Sequence, residues 1–173
     1  MDSSGREPEE PALKLLGSGV AYRPRLRAML KGSEFFGDLA APEIETLANY
    51  IQAYSAEPGT VVFRESESGG FMCLVIEGGA EIFKQDHKFG SKRMGRVEAG
   101  KTIGEMALID GEPRSATCIC PQQSTLIMLT REQFVRIIRE HPGLSVNILL
   151  KIVTLMSRRL RQTSGQLVDY LQD

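Results

Sequence analysis

The stretch IGEMALIDGEPRSATC, Ile103 to Cys118, sets one carboxylate, Glu105, behind a glycine and one guanidinium, Arg114, behind a Gly-Glu-Pro turn. The two groups suit different parts of a ligand. Arg114 carries planar donors in a fork that matches two phosphate oxygens, and Ser115 and Ala116 are small enough to let an anion approach the backbone. Gly104 can take backbone angles closed to other residues. Glu105 to Asp110 is long enough for just over one helical turn ended by Gly111, and the amide N–H groups at the start of such a turn favour an anion. Glu105 cannot bind phosphate, yet its carboxylate is a strong acceptor for a sugar hydroxyl. A ligand with a phosphate and a free ribose hydroxyl satisfies both ends. The competing reading is an Arg114–Glu105 salt bridge that closes a surface turn, and these residue types alone leave both open.

The surrounding chain must supply a scaffold for this stretch. From Ala53 to Thr130 the segments TVVFR, FMCLVIEG, GAEIFKQ, SKRMGRVEAG, SATCIC and STLIMLT are short, rich in β-branched and apolar residues, and separated by Gly, Pro, Asp or Ser. Many short strands at regular spacing predict a β-roll or barrel. Ahead of it, Arg25 to Leu30 reads as a short basic helix behind Pro24, and Ala41 to Ile51 as a second, with Pro42 at the first helical position. FFGDL between them reads as a packed turn. After Thr130, REQFVRIIREHP reads as a helix ended by Pro142, and Leu144 to Gln172 carries helical periodicity interrupted by one glycine. Residues 1–22, rich in Gly, Ser, Pro and Glu, bury little and are expected to be a flexible extension outside the core.

The last helix carries a pattern of its own. Leu149, Val153, Met156, Leu160, Thr163, Leu167 and Tyr170 follow alternating steps of four and three, the heptad spacing of a coiled-coil seam. A seam implies a partner helix; the alternative is an amphipathic helix lying against its own roll. Thr163 is the odd member, because a hydroxyl in an apolar seam costs free energy until something there bonds to it.

Composition narrows the classes. The 173 residues, 42% apolar and 25% charged with a net charge of −1, give one good core and no global electrostatic footprint for nucleic acid. The three cysteines, Cys73, Cys118 and Cys120, fit neither a disulfide framework nor a C-x-x-C metal site, so a reducing cytoplasm is expected. The polar, acidic start and the lack of a long apolar run predict a chain that is neither exported nor membrane-spanning. A metal-dependent enzyme on such a roll needs several converging ligands, and the only histidines are His87 and His141. No cysteine cluster or axial histidine suggests haem or iron–sulfur, and no nucleophile and base stand out, so no catalysis and no metal are expected.

The stretch from Ile103 resembles the phosphate-binding cassette of cyclic nucleotide-binding domains: Gly104, Glu105, apolar Met106, Ala107, Leu108, a variable turn, Pro113, Arg114, Ser115, Ala116. The likeness extends to FFGDLAAPEIETLA, to EPGTVVFRESESGGFMCLVIEGGAEIF and to REQFVRIIREHPGL, about residues 30 to 165 in all. It implies a mainly β fold with flanking helices: a β-roll of double-stranded β-helix (jelly-roll) type, N-terminal helices, and a long C-terminal dimerisation helix. The division implied is 1–22 extension, 23–142 cyclic nucleotide-binding roll, 143–173 dimerisation helix. By the same resemblance Gly104 and Glu105 hold the ribose 2′-hydroxyl, Arg114 and Ser115 the cyclic phosphate with Ala116 close by, and Ile82 and Met94 line the base pocket. RRLRQTSGQL resembles the dimer helix of the catabolite activator branch, which puts Thr163 and Ser164 at the exocyclic amine of adenine, the serine reaching from the other subunit, and Arg159 where it can pair with Glu105.

The expectation is a non-enzymatic, cytoplasmic cAMP sensor, with cGMP possible, that transmits binding through its last helix and forms a homodimer; its effector protein is not readable from sequence. Thr102 replaces an aromatic frequent in the family, and no helix-turn-helix follows the last helix, so direct DNA binding is not expected. The alternative is the ligand-binding half of a cAMP-dependent transcription regulator.

Overall fold

The computed structural model describes residues 12–86 and 90–172, with side chains through residue 167. The apolar runs bounded by turn residues become short antiparallel strands: β1 (Lys14–Gly17), β2 (Gln52–Ala56), β3 (Thr60–Phe63), β4 (Phe71–Glu77), β5 (Gly79–Asp86), β6 (Gly90–Glu98), β7 (Thr102–Ile103), β8 (Thr117–Cys120) and β9 (Ser124–Thr130). Five of them form one sheet in the order β1-β2-β9-β4-β7, and four form a second in the order β3-β8-β5-β6. This is the roll expected from the sequence. β4 is buried without a break from Met72 to Val75, as a central strand must be, whereas edge strand β6 buries only Val97. Phe63, Val75, Ala80, Ile103, Cys118 and Leu126 are among the side chains that fill the core.

Helices α1 (Gly19–Lys31) and α2 (Ala41–Leu47) precede the roll, α3 (Glu105–Asp110) interrupts it, and α4 (Arg131–Glu140) and α5 (Pro142–Gln172) follow. Thr130 accepts the Gln133 N–H at 3.2 Å and so caps α4 directly out of β9.

The N-terminal region differs from the sequence reading. β1 pairs antiparallel with β2, and α1 starts six residues ahead of Arg25 with Pro24 inside it. Edge pairing satisfies backbone groups without burying side chains, and Leu15 remains 56% exposed, so no apolar period marks the strand. Pro24 removes one helical hydrogen bond near the start, while Leu26 and Leu30, both fully buried, anchor the later turns. Residues 1–11 of the expected extension, and His87, lie outside the described residues.

The chain divides into two compact units, one ending at Phe134 and one starting at Val135. In the second unit the His141 N–H bonds to Ile137 O and the Ser145 N–H to His141 O, which ties the last turn of α4 to α5. Within the second unit α5 presents two different stripes. Leu144, Ile148 and Ile152 are buried, whereas seam residues Val153, Leu160 and Leu167 are 60%, 68% and 58% exposed. Tyr170, the last seam position, lies beyond the described side chains.

Candidate anion site in the roll

Two left-handed glycines bracket the short cassette helix. Gly104 at φ 78° turns the chain out of β7 into α3, and Gly111 at φ 72° ends it. Between them Glu105, Ala107 and Leu108 face inward with 2%, 3% and 1% exposure, and Met106 points outward. β7 is pinned to the central strand through Cys73↔Ile103, which fixes where α3 begins.

Arg114 is held by its backbone from the loop that joins β3 to β4. Its N–H bonds to Glu67 O at 2.9 Å, and its carbonyl accepts the Ser66 N–H at 2.8 Å. The side chain then enters the roll, where it is 4% exposed. Its Nη1 donates to Gly104 O at 3.1 Å. The guanidinium carbon lies 4.1 Å from the ring centroid of Phe63 and 4.3 Å from that of Phe71. Those rings meet edge to face at 68° with centroids 6.1 Å apart, so the cation sits in an aromatic corner.

The remaining edge of the fork is unspent. Nε and Nη2 of Arg114 are buried with no hydrogen-bond partner among the described residues. Each unmet donor costs about 1–3 kcal/mol in the interior, and an anion with two adjacent oxygens supplies what both lack. That edge is therefore not given to Glu105, which removes the salt-bridge reading in the form that would have used it. Burial lowers the Arg114 pKa from its usual value, opposed by the neighbouring Cys73, Cys118, Glu67 and Glu105. The same burial pushes the Cys73 thiol up to about 12, partly offset by Arg114, and raises Cys118 and Cys120 as well. All three thiols are free and stay protonated at neutral pH, as inert core groups.

The remaining candidate residues are more scattered. Ser115 is exposed, and its carbonyl accepts Lys84 Nζ at 2.7 Å, while Glu65 holds the same ammonium at 2.9 Å. Ala116 is half-buried directly ahead of β8. Ile82 packs against the core and pairs with Cys118 on one side and Gly95 on the other. Met94 falls in the bulge between the Ile82↔Gly95 and Phe83↔Arg93 pairs and is 60% exposed, so it does not join Ile82 as an ordinary ladder neighbour. Arg159, Thr163 and Ser164 lie on α5 in the second unit. There the Thr163 hydroxyl donates to Arg159 O at 3.0 Å.

Sequence reasoning missed Phe63, Phe71 and Gly69. Phe63 and Phe71 sit in strand-like runs where an aromatic reads as core, and Gly69 reads as a separator between strands. Nothing in their types points to a cation 43 residues or more further along the chain. Lys84 and Glu65 were likewise ordinary surface charges.

A β-roll that closes two sheets over a buried arginine, beside a glycine-bracketed turn carrying a buried carboxylate, defines a binding domain built to receive an anion. The chain belongs to the cyclic nucleotide-binding domain family, whose model matches residues 54–141. It is 30% identical over 80% of its length to the cyclic AMP receptor protein of Thermus thermophilus and spans 62% of that protein. Among solved structures, a cyclic nucleotide-binding domain from Methylobacillus flagellatus superposes with a TM-score of 0.79 at 26% identity, over 91% of this chain and 89% of that one. The Thermus thermophilus catabolite activator protein superposes with a TM-score of 0.70 at 27% identity, over 81% and 63% respectively. No described helix is long and apolar enough to cross a membrane.

Proposed function

We propose that this chain is a cytoplasmic cyclic nucleotide sensor that prefers cAMP to cGMP and acts as a regulatory homodimer, without catalysis of its own. The observation that carries the reading is the Nε–Nη2 edge of Arg114, buried and unbonded, at the cassette position where the family holds a cyclic phosphate. In this reading Arg114 and Ser115 hold the phosphate with Ala116 beside it, and Gly104 and Glu105 hold the ribose 2′-hydroxyl on the turn that Met106 and Ala107 continue. Ile82 and Met94 border the base. Thr163, and Ser164 of a second copy, meet the adenine amine, and Arg159 pairs with Glu105.

Support for the homodimer is the row Val153, Leu160 and Leu167, apolar, at heptad spacing and exposed. Support for cAMP is the Thr163-Ser164 pair together with the similarity to a cyclic AMP receptor protein. Binding is transmitted because the ligand's affinity differs between two placements of α5, which shifts their populations toward an effector protein. Titration calorimetry with cAMP and cGMP tests the reading. Tighter binding of cAMP is expected, binding of neither sinks the sensor, and tighter binding of cGMP overturns the preference.

A further inference from the structure

The Arg114 guanidinium is enclosed by Gly104 of the cassette and by residues from outside it. Besides Phe63 and Phe71, the chain brings Gly69 against it: a Cβ added at Gly69 would stand 2.2 Å from Arg114 Nε and 2.6 Å from its guanidinium carbon. No other residue type leaves the cation where it is. The Gly104 side is tight as well, since a Cβ there would stand 2.6 Å from Nη1. Each contact takes up a different part of the group. The aromatic rings face its central carbon, Gly104 O takes Nη1, and Gly69 gives Nε room. What is left is the Nε–Nη2 edge.

We propose that Phe63, Phe71 and Gly69 are positioning residues for Arg114, which they hold buried in the roll with its two-donor edge reserved for adjacent phosphate oxygens. This inference rests on the cyclic nucleotide reading of the site and extends it. Aromatic faces attract a guanidinium without using its N–H groups, so they fix the group and leave its in-plane donors to the ligand. A carboxylate in their place would hold Arg114 equally well and consume the fork. Because the donors are aimed before the ligand arrives, less ordering remains to be done on binding.

The test is calorimetry with cAMP on the full chain and a set of variants, each with its melting temperature recorded. Gly69→Ala is expected to weaken binding about tenfold, because the added methyl displaces the fork while the core is untouched. Gly69 lies in a half-buried loop without a left-handed φ, so alanine is compatible with its backbone. Phe71→Leu is expected to weaken binding about fivefold, and Phe71→Tyr, which keeps the aromatic face, to stay within about twofold of wild type. In an Arg114→Leu background the Gly69→Ala and Phe71→Leu changes are each expected to alter affinity by less than about twofold, since their target is gone. Equal losses in both backgrounds, or Phe71→Leu and Phe71→Tyr that bind alike, overturn the positioning role while leaving the sensor intact. Wild-type protein that binds neither cAMP nor cGMP overturns the reading of the site, and this inference with it. Should Gly69→Ala fail to fold, the Phe71 pair carries the same test.

Discussion

Arg114 and Thr163 are both polar groups in apolar settings, and they solve the problem in opposite ways. Arg114 lies in the roll at 4% exposure with two donors unbonded among the described residues. Thr163 lies in the α5 seam with its hydroxyl bonded to the carbonyl of Arg159, one turn earlier. In the sequence Thr163 stands out as a hydroxyl in an apolar seam, and Arg114 as a forked cation set beside small residues. The structure separates them, since a helix always has a carbonyl within reach of a threonine hydroxyl, and no local group reaches the far edge of a guanidinium turned into a β-roll. An unmet donor in the interior stores free energy that a ligand releases. A locally satisfied hydroxyl stores almost none.

The strongest way to break this contrast is Arg114→Leu, for which two effects of opposite sign are expected. Affinity for cAMP should fall at least about tenfold, since a charge-assisted bidentate contact to a buried phosphate contributes on the order of 1.5–3 kcal/mol. Stability of the ligand-free protein should rise by about 1 kcal/mol, because an apolar side chain in the aromatic corner removes a desolvated cation and two unmet donors. Calorimetry reads the first and urea unfolding the second. A ligand-free protein destabilised by more than about 1 kcal/mol would mean that the fork is satisfied after all.

A smaller effect is expected from the seam itself. Leu160 is 68% exposed, so Leu160→Glu leaves the fold of one chain alone and acts on the contact between chains. Sedimentation should show wild type as a dimer and the variant as a monomer, with cAMP binding about fivefold weaker, as the base loses the partner's Ser164 while phosphate and ribose contacts persist. A wild-type chain that sediments as a monomer with and without cAMP refutes the dimer and leaves Thr163 an intrachain role only.

The core thiols add a pH dependence that belongs to the roll alone. Cys73, pushed up to about 12 by burial, stays protonated in the folded chain where the unfolded chain loses its proton near 9.0. The unfolded state then binds fewer protons, so stability is full below about pH 9 and falls as pH rises toward 12, by roughly 1–2 kcal/mol at pH 10 from this thiol. Urea midpoints at pH 7.5 and 10 for wild type and Cys73→Ala check it: the variant should lose less.

Sequence made the cassette legible because its residues act through type and order. Gly104 and Gly111 are needed for φ, Arg114 for its fork, and all fall within one short segment. The strands were legible for the same local reason, apolar runs cut by turn residues. β1 was not, because an edge strand earns its place by backbone pairing and leaves Leu15 and Leu16 outside. Gly69, Phe63 and Phe71 were illegible too: their roles come from a contact across the roll, and a glycine that makes room looks like any glycine that makes a turn.

The finest test of the contrast is Thr163→Val. A hydroxyl has one donor and two acceptor lone pairs, and in Thr163 the donor is already given to Arg159 O. Its oxygen can therefore accept and has no free donor to offer. An adenine presents an amine, which donates; a guanine presents at that position a carbonyl, which needs a donor. Under the proposed function that polarity suits the adenine amine of cAMP over the guanine carbonyl of cGMP. Replacing the hydroxyl by a methyl should change urea stability by no more than about 0.5 kcal/mol, because the lost bond is an exposed one within the helix. Affinity for cAMP should fall about threefold, the value of one exposed neutral hydrogen bond, while that for cGMP stays within about 1.5-fold, so the selectivity ratio narrows. Competition titrations of both nucleotides on wild type and Thr163→Val decide it. An equal fall for the two would mean that Thr163 meets the nucleotide through packing, and an unchanged ratio with unchanged affinities that it does not meet it at all.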